Sequence, residues 1–158
     1  MYNHFTIIIV EDVAQMLLTR ASEYALLALI ILAKEKEPIG ADKLSEKLNI
    51  SKSFLAKVLQ NLAKASILAS FKGIRGGFAL AHDAKDISLM SIMEASEGKP
   101  PAVFDCSPSK DNCPSEKADS CRVWPVLNNL QVKIDDFLAN LSLDDIMQDP
   151  DTLKRNVG

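Results

Sequence analysis

ADKLSEKLNISKSFLAKVLQNLAKASILASFKGIRGGFALA, residues 41–81, decides how this chain folds. Ala41–Leu48 is expected to form a short helix, with Leu44 and Leu48 one turn apart. Asn49-Ile50-Ser51 makes a turn, and Ser51 is placed to cap a second helix running to about Ser66. On that helix Phe54, Leu55, Val58, Leu59 and Leu62 share a face to be buried, while Ser53, Lys57, Gln60 and Lys64 fall on the opposite side at helical spacing. Polar helix positions are usually plain solvated surface. Here, however, the second of two closely joined helices opens with Ser51, Lys52 and Ser53. That is the form of a helix-turn-helix, whose second member enters the major groove of DNA by its N-terminal end.

The segment after these helices strengthens this reading. Ile67–Phe71 and Phe78–Ala81 are short extended runs around KGIRGG, so they are expected to pair as a hairpin, with Gly73, Gly76 and Gly77 taking the turn conformations. Lys72 and Arg75 sit at its tip. A basic-tipped hairpin behind a recognition helix is a wing, placed to meet phosphates or the minor groove. A connecting hairpin is the plainer alternative, and a phosphate-binding glycine loop is the weaker rival because no helix start or GK[ST] comes after it. The candidate DNA contacts are therefore Ser51, Lys52, Ser53, Lys57, Gln60, Lys72, Arg75, Gly76 and Gly77. Charge agrees: Met16–His82 carries ten Lys/Arg against five Asp/Glu, whereas Asp83–Gly158 carries eight against fourteen, so only the first half suits phosphates.

Upstream, Thr19–Lys36 reads as a helix capped by Thr19, with Tyr24, Leu27 and Ile31 at helical spacing and Leu26, Leu29 and Ile30 filling other sides. A helix apolar nearly all round belongs in an interior or between subunits. Downstream, Ser88–Glu97 is a helix with Leu89, Ile92 and Met93 inward and Gly98 at its C-terminal end. The fold class is thus mainly α with a small β-hairpin wing.

All three cysteines of the chain lie in CSPSKDNCPSEKADSC, residues 106–121. Ala118 is the only other apolar side chain there, so the segment has nothing to bury and is expected to be disordered when left alone. A loop this long without structure usually has a task, and three thiols along it suggest wrapping a metal centre. The C-x(6)-C-x(7)-C spacing matches neither zinc knuckles nor common ferredoxin runs, and free thiols or one disulfide are the bland alternatives. Soft thiolates suit an iron-sulfur cluster, zinc or copper, and a four-ligand site would need its last ligand from elsewhere.

After the loop, Val123, Leu127, Leu130, Ile134, Phe137 and Leu141 repeat at intervals of four and three, a heptad seam on a long helix that tolerates Pro125 in its first turn. A helix packed on its own domain is the plainer reading. The narrow seam, flanked by Asn128, Gln131, Lys133 and Asp135, favours pairing with a second copy about a two-fold axis. Ser142, with Asp145 three residues on, caps a last short helix. The chain has 158 residues and a net charge of −3, which argues against a general polyanion binder. No run is long enough to span a membrane and the start lacks a secretory signal's basic region, so a cytoplasmic location is expected, where a lone disulfide is disfavoured.

Taken together, MLLTRASEYALLAL from Met16, NISKSFLAKVLQNLAKASIL, FKGIRGGFALA, ISLMSIMEASEG, the cysteine triplet and Val123-Trp124 resemble the Rrf2 family of bacterial transcription regulators, which includes the iron-sulfur regulator IscR and the nitric-oxide-sensing repressor NsrR. The likeness runs from Met16 to about Met147. It implies a winged helix-turn-helix homodimer that binds a palindromic double-stranded promoter site. It also implies that a cysteine loop holds an iron-sulfur cluster, 2Fe-2S or 4Fe-4S, near the first helix of the other subunit. By that likeness Cys106, Cys113 and Cys121 are ligands, though the gaps between them exceed the family's usual five residues. Some members place a histidine ligand three residues past the last cysteine, where this chain has Trp124. Others use a carboxylate just before the tyrosine of the first helix, and Glu23 holds that position.

The implied division is an extension over 1–15, a DNA-binding region over 16–82, a cysteine loop with dimerisation helix over 83–147, and a flexible tail over 148–158. Promoter binding would respond to cluster status, nitric oxide or redox stress. The alternatives are a cluster-free regulator of the same fold that responds through thiol chemistry or a partner protein, and a small iron-sulfur electron carrier. An enzyme is not expected, since no acid–base constellation accompanies a pocket-forming motif.

Overall fold

The computed structural model describes residues 18–148. The extension expected over 1–15, the start of the organised pattern at Met16 and all but the first residue of the expected tail lie outside the described residues. Helix α1 (Arg20–Lys34) starts where the Thr19 hydroxyl accepts hydrogen bonds from the Ala21 and Ser22 amides, the expected cap. Its inward stripe is Ser22, Ala25, Ala28, Leu29 and Leu32, not the Tyr24–Leu27–Ile31 row; Leu27 is 40% exposed. Small residues on the buried side let neighbouring helices approach closely, which leaves larger side chains to the flank.

Helix α2 (Ala41–Leu48) and helix α3 (Lys52–Lys64) are joined through Asn49, whose left-handed φ of 53° turns the chain. The Asn49 and Ile50 amides donate back to the Glu46 and Ser45 carbonyls, closing the end of α2. Leu44, Leu55, Leu59 and Leu62 are fully buried, each contributing about 2 kcal/mol of apolar burial. Phe54, expected with them, is instead 38% exposed, its ring edge-on to Tyr24 at 5.8 Å. Ser51 precedes α3 without capping it: its hydroxyl lies 2.9 Å from that of Ser53.

Strands β1 (Leu68–Phe71) and β2 (Gly77–Leu80) pair antiparallel, with Leu68 opposite Leu80 and Phe71 opposite Gly77. Ile39 exchanges two backbone hydrogen bonds with Phe78, of 3.0 and 2.9 Å, and so fixes the hairpin base to the segment before α2. A side chain at Gly77 would put its Cβ 2.3 Å from the Ile39 carbonyl carbon, so only glycine allows this approach.

Helix α4 (Leu89–Glu97) has the expected Ser88 cap and left-handed Gly98 end. Ile92 joins the same core as α1–α3, together with Ile87 and Leu143. Helix α5 (Trp124–Asn140) comes after the cysteine loop, and helix α6 (Leu143–Met147) closes the described chain with the full capping box of Ser142 and Asp145. Leu89, Met93 and Leu138 form a second, smaller core between α4 and α5.

Candidate nucleic-acid interface

The polar row of α3 is open to solvent: Ser51, Lys52, Ser53, Lys57, Gln60 and Lys64 are all exposed at the helix N-terminus or along one face. Their presentation is set by the opposite face, where Leu55, Val58, Leu59 and Leu62 lock the helix into the core. Lys52 is paired with Asp42 of α2. Lys57, Lys72 and Arg75 have no ion pair among the described residues, and all three are exposed. The helix and hairpin thus present unneutralised cations, the charge that phosphate contacts require. Gly73 has φ of +101°, and a Cβ at Gly76 would stand 2.3 Å from the Phe71 carbonyl oxygen, so the hairpin tip is tightly wound.

The cysteine loop is better held than its composition led us to expect. Its entry is tied to α5 by Gln131, whose side-chain oxygen accepts from the Val103 amide at 2.9 Å and lies 2.6 Å from the Ser107 hydroxyl. The Gln131 amide nitrogen donates to the Pro101 carbonyl at 3.0 Å and to Asp135 at 2.7 Å. Asn128 donates to the Ser107 carbonyl at 2.9 Å, and the Trp124 indole N–H donates to the Cys106 carbonyl at 2.8 Å. Gln131 and Ser107 are buried despite being polar, because they satisfy one another. Two short 3-10 turns, Lys110–Asn112 and Ala118–Ser120, are linked by Lys110 and Asp119 at 3.1 Å, and the Lys110 ammonium lies 5.1 Å from the Trp124 ring centroid.

All three thiols are free, Cys106 and Cys113 half-buried and Cys121 exposed. The Ser115 hydroxyl, 3.4 Å from the Cys113 sulfur, leads a set of hydrogen bonds that holds this thiol below its ordinary range; the backbone at Lys117, Ser115 and Glu116 supplies the rest. Glu23 points to solvent from the first turn of α1 and pairs with Arg20 at 3.3 Å.

Residues 18–149 match the model of a family described as Iron-dependent Transcriptional regulator, Rrf2. The chain belongs to the Rrf2 family. The HTH-type transcriptional regulator IscR of Vibrio campbellii is 30% identical over 141 residues, which cover 88% of this chain and 82% of that protein. IscR of Pectobacterium atrosepticum is 28% identical over 140 residues, covering 87% and 83%. Among solved structures, T. potens IscR superposes with a TM-score of 0.63 at 20% identity over 82% of this chain and 85% of that one. CymR, described as the global cysteine regulator of B. subtilis, does so with 0.61 at 22% identity over 82% and 95%. The Rrf2 chain is accordingly a transcriptional regulator and not an enzyme, and its helices and hairpin form the expected mainly α, winged-helix class. No helix of the described residues is long and apolar enough to cross a membrane.

Three thiols have the right softness for the iron-sulfur cluster that the Rrf2 likeness implies, but the single chain does not gather them. Among the described residues no three His, Cys, Asp or Glu side chains stand close enough to hold one metal ion. The expected position of a histidine ligand is filled by Trp124, which instead fastens the backbone of Cys106. Sequence reasoning missed the Gln131–Ser107 tie. Its one visible signal was a pair of amides, Asn128 and Gln131, three apart and so on one side of the helix.

Proposed function

We propose that this regulator acts as a homodimer on a palindromic double-stranded promoter site. In this reading α3 enters the major groove, the β1–β2 wing meets the adjacent backbone or minor groove, and the three-cysteine loop controls the fit. The observation that carries the DNA reading is the open polar row from Ser51 to Gln60 on the second helix of a helix-turn-helix, beside unpaired cations on the wing. Pairing is supported by an apolar stripe along α5 and the residue that precedes it: Val123, Val126, Leu130 and Phe137 are 58, 67, 43 and 46% exposed at intervals of three, four and seven. Of the other seam residues, Leu127 is half-buried, while Ile134 and Leu141 pack on the second core. In a two-fold dimer the two α3 helices must stand about 34 Å apart to occupy successive half-sites. The reading and controlling regions correspond to 16–82 and 83–147.

The controlling element is the loop from Cys106 to Cys121. The family likeness points to an iron-sulfur cluster on Cys106, Cys113 and Cys121, with Glu23 of the second copy as candidate fourth ligand. Glu23 is exposed and, among the described residues, pairs with a solvated arginine, and so is accessible to such a role. The loop would have to close to gather the three sulfurs. A second reading, control by thiol chemistry without a cluster, is supported by Cys113, a half-exposed thiol whose pKa is lowered by the hydrogen bond from Ser115, 3.4 Å away, and by the backbone around it.

Two experiments test these statements. In promoter titrations at several salt concentrations, Lys57→Ala and Arg75→Ala should each weaken binding and lower the log–log salt slope by about 0.9 per subunit, about 1.8 for the dimer; slopes equal to the parent's would remove them from the contact set. Iron and sulfide analysis of protein purified without air decides between cluster and thiol control. The cluster reading expects both elements and a visible absorbance lost in Cys113→Ser, whereas colourless parent protein would overturn it.

A further inference from the structure

Ile74 lies at the turn of the wing, between Lys72 and Arg75, with a relative exposure of 107%. An aliphatic side chain held wholly in water forgoes the free energy of burial. The turn has no need of one there, because Gly73 and the tightly packed Gly76 already make it. Nor is this tip a loose loop on a soft stem. The four residue pairs of β1 and β2 continue into the Ile39–Phe78 bridge, and Gly77 seats the hairpin directly on the Ile39 backbone. A hairpin seated on the Ile39 backbone therefore projects one apolar side chain flanked by two cations that have no ion pair among the described residues.

That arrangement is complementary to the minor groove of a DNA duplex. Phosphates line its two rims and suit cations such as Lys72 and Arg75, while its floor of sugar and base edges can receive an apolar wedge. We infer that Ile74 is a specificity-determining wedge that enters the minor groove beside the half-site read by α3 and partly unstacks one base step. The wedge makes the site prefer an easily deformed step, such as TA or CA, at a position where the protein makes no base hydrogen bond. The inference rests on the reading of the hairpin as a DNA-contacting wing.

The test uses duplexes that the full-length protein selects from a random-sequence pool. Affinity, salt slope and DNA bending, from circular-permutation mobility, are compared for the parent, Ile74→Ser, Ile74→Leu and Arg75→Ala. Ile74→Ser should lose roughly five- to thirtyfold in affinity, bend the duplex less and lose its preference at the wing step while keeping the parent's salt slope. Ile74→Leu should restore bending and preference, and Arg75→Ala should lower the slope. An Ile74→Ser protein that binds, bends and selects like the parent would overturn the wedge while leaving the wing intact. If Arg75→Ala and Ile74→Ser both leave binding unchanged, the wing reading itself fails, and an apolar tip that instead captures a protein partner would show as lost association without any change on DNA.

Discussion

Replacing Gln131 with leucine keeps the side chain's bulk but removes the amide that ties the cysteine loop to α5. The Val103 amide loses its acceptor at 2.9 Å and the Pro101 carbonyl its donor at 3.0 Å. The Ser107 hydroxyl retains the Phe104 carbonyl at 2.7 Å, and Asp135 can turn to water. Two polar groups are thus left unpaired, Pro101 buried and Val103 half-buried. At about 1–3 kcal/mol for each buried orphan, reduced for partial access of water, the loop entry should be destabilised by about 2–4 kcal/mol. That raises its local opening equilibrium about 30- to 700-fold. Hydrogen exchange over residues 101–107 reads this directly, with circular dichroism checking that the helices persist. Gln131→Glu is the graded comparison. It keeps the acceptor for Val103 and Ser107 but loses the donor to Pro101 and sets a second carboxylate beside Asp135, so its defect should shrink as pH falls and the carboxyl protonates. Exchange over 101–107 unchanged in Gln131→Leu would refute the tie.

Three further outcomes rest on the same geometry. Because the folded loop holds the Cys113 thiol below its unfolded range, the thiolate persists to lower pH in the native protein. Its contribution to stability is present above the unfolded pKa and is lost as pH falls through the folded value. The alkylation midpoint of Cys113, followed by peptide mass, should therefore rise in Ser115→Ala and in urea; an unchanged midpoint would remove the Ser115 bond as its cause. Phe137→Asp sets a charge in the open stripe of α5 and should shift the protein to monomer in sedimentation equilibrium with little loss of thermal stability, because that side chain is 46% exposed in the single chain. Gly77→Ala forces a Cβ to within 2.3 Å of the Ile39 backbone and strains φ of +149°, so promoter affinity should drop while helical content stays near the parent's; native-like binding would show that the hairpin tolerates the shift.

The parts of the fold that depend on neighbouring residues are legible in the chain's own order of residues. Thr19 caps α1, Ser142 and Asp145 form their box, Gly98 ends α4, and the wing turns at Gly73 and Gly76, all through residues close in sequence. Ser51 shows the limit of such rules, since its hydroxyl faces Ser53 instead of the helix amides. Tertiary choices are less readable. Heptad spacing groups Ile134 and Leu141 with Phe137, yet α4 needs a partner for Leu89 and Met93. Leu138, outside the seam, turns inward with Ile134 and Leu141 at its sides. The cysteine loop misleads for a different reason. Counting apolar side chains says nothing of order imposed from outside the segment, and here the loop entry takes it from the amides of Asn128 and Gln131. Where the three sulfurs meet is a property of loop closure or of a second subunit, which spacing along one chain does not encode.

The most direct test of the account is an anaerobic titration of one selected promoter duplex with the native chain and with a variant carrying Cys106→Ser, Cys113→Ser and Cys121→Ser together. If the cysteine loop sets how two recognition helices meet DNA, the two affinities should differ by about 5- to 150-fold, the ordinary range of coupling between sites. Equal affinities with equal salt slopes would contradict it, leaving a DNA reader whose thiols have no part in its control.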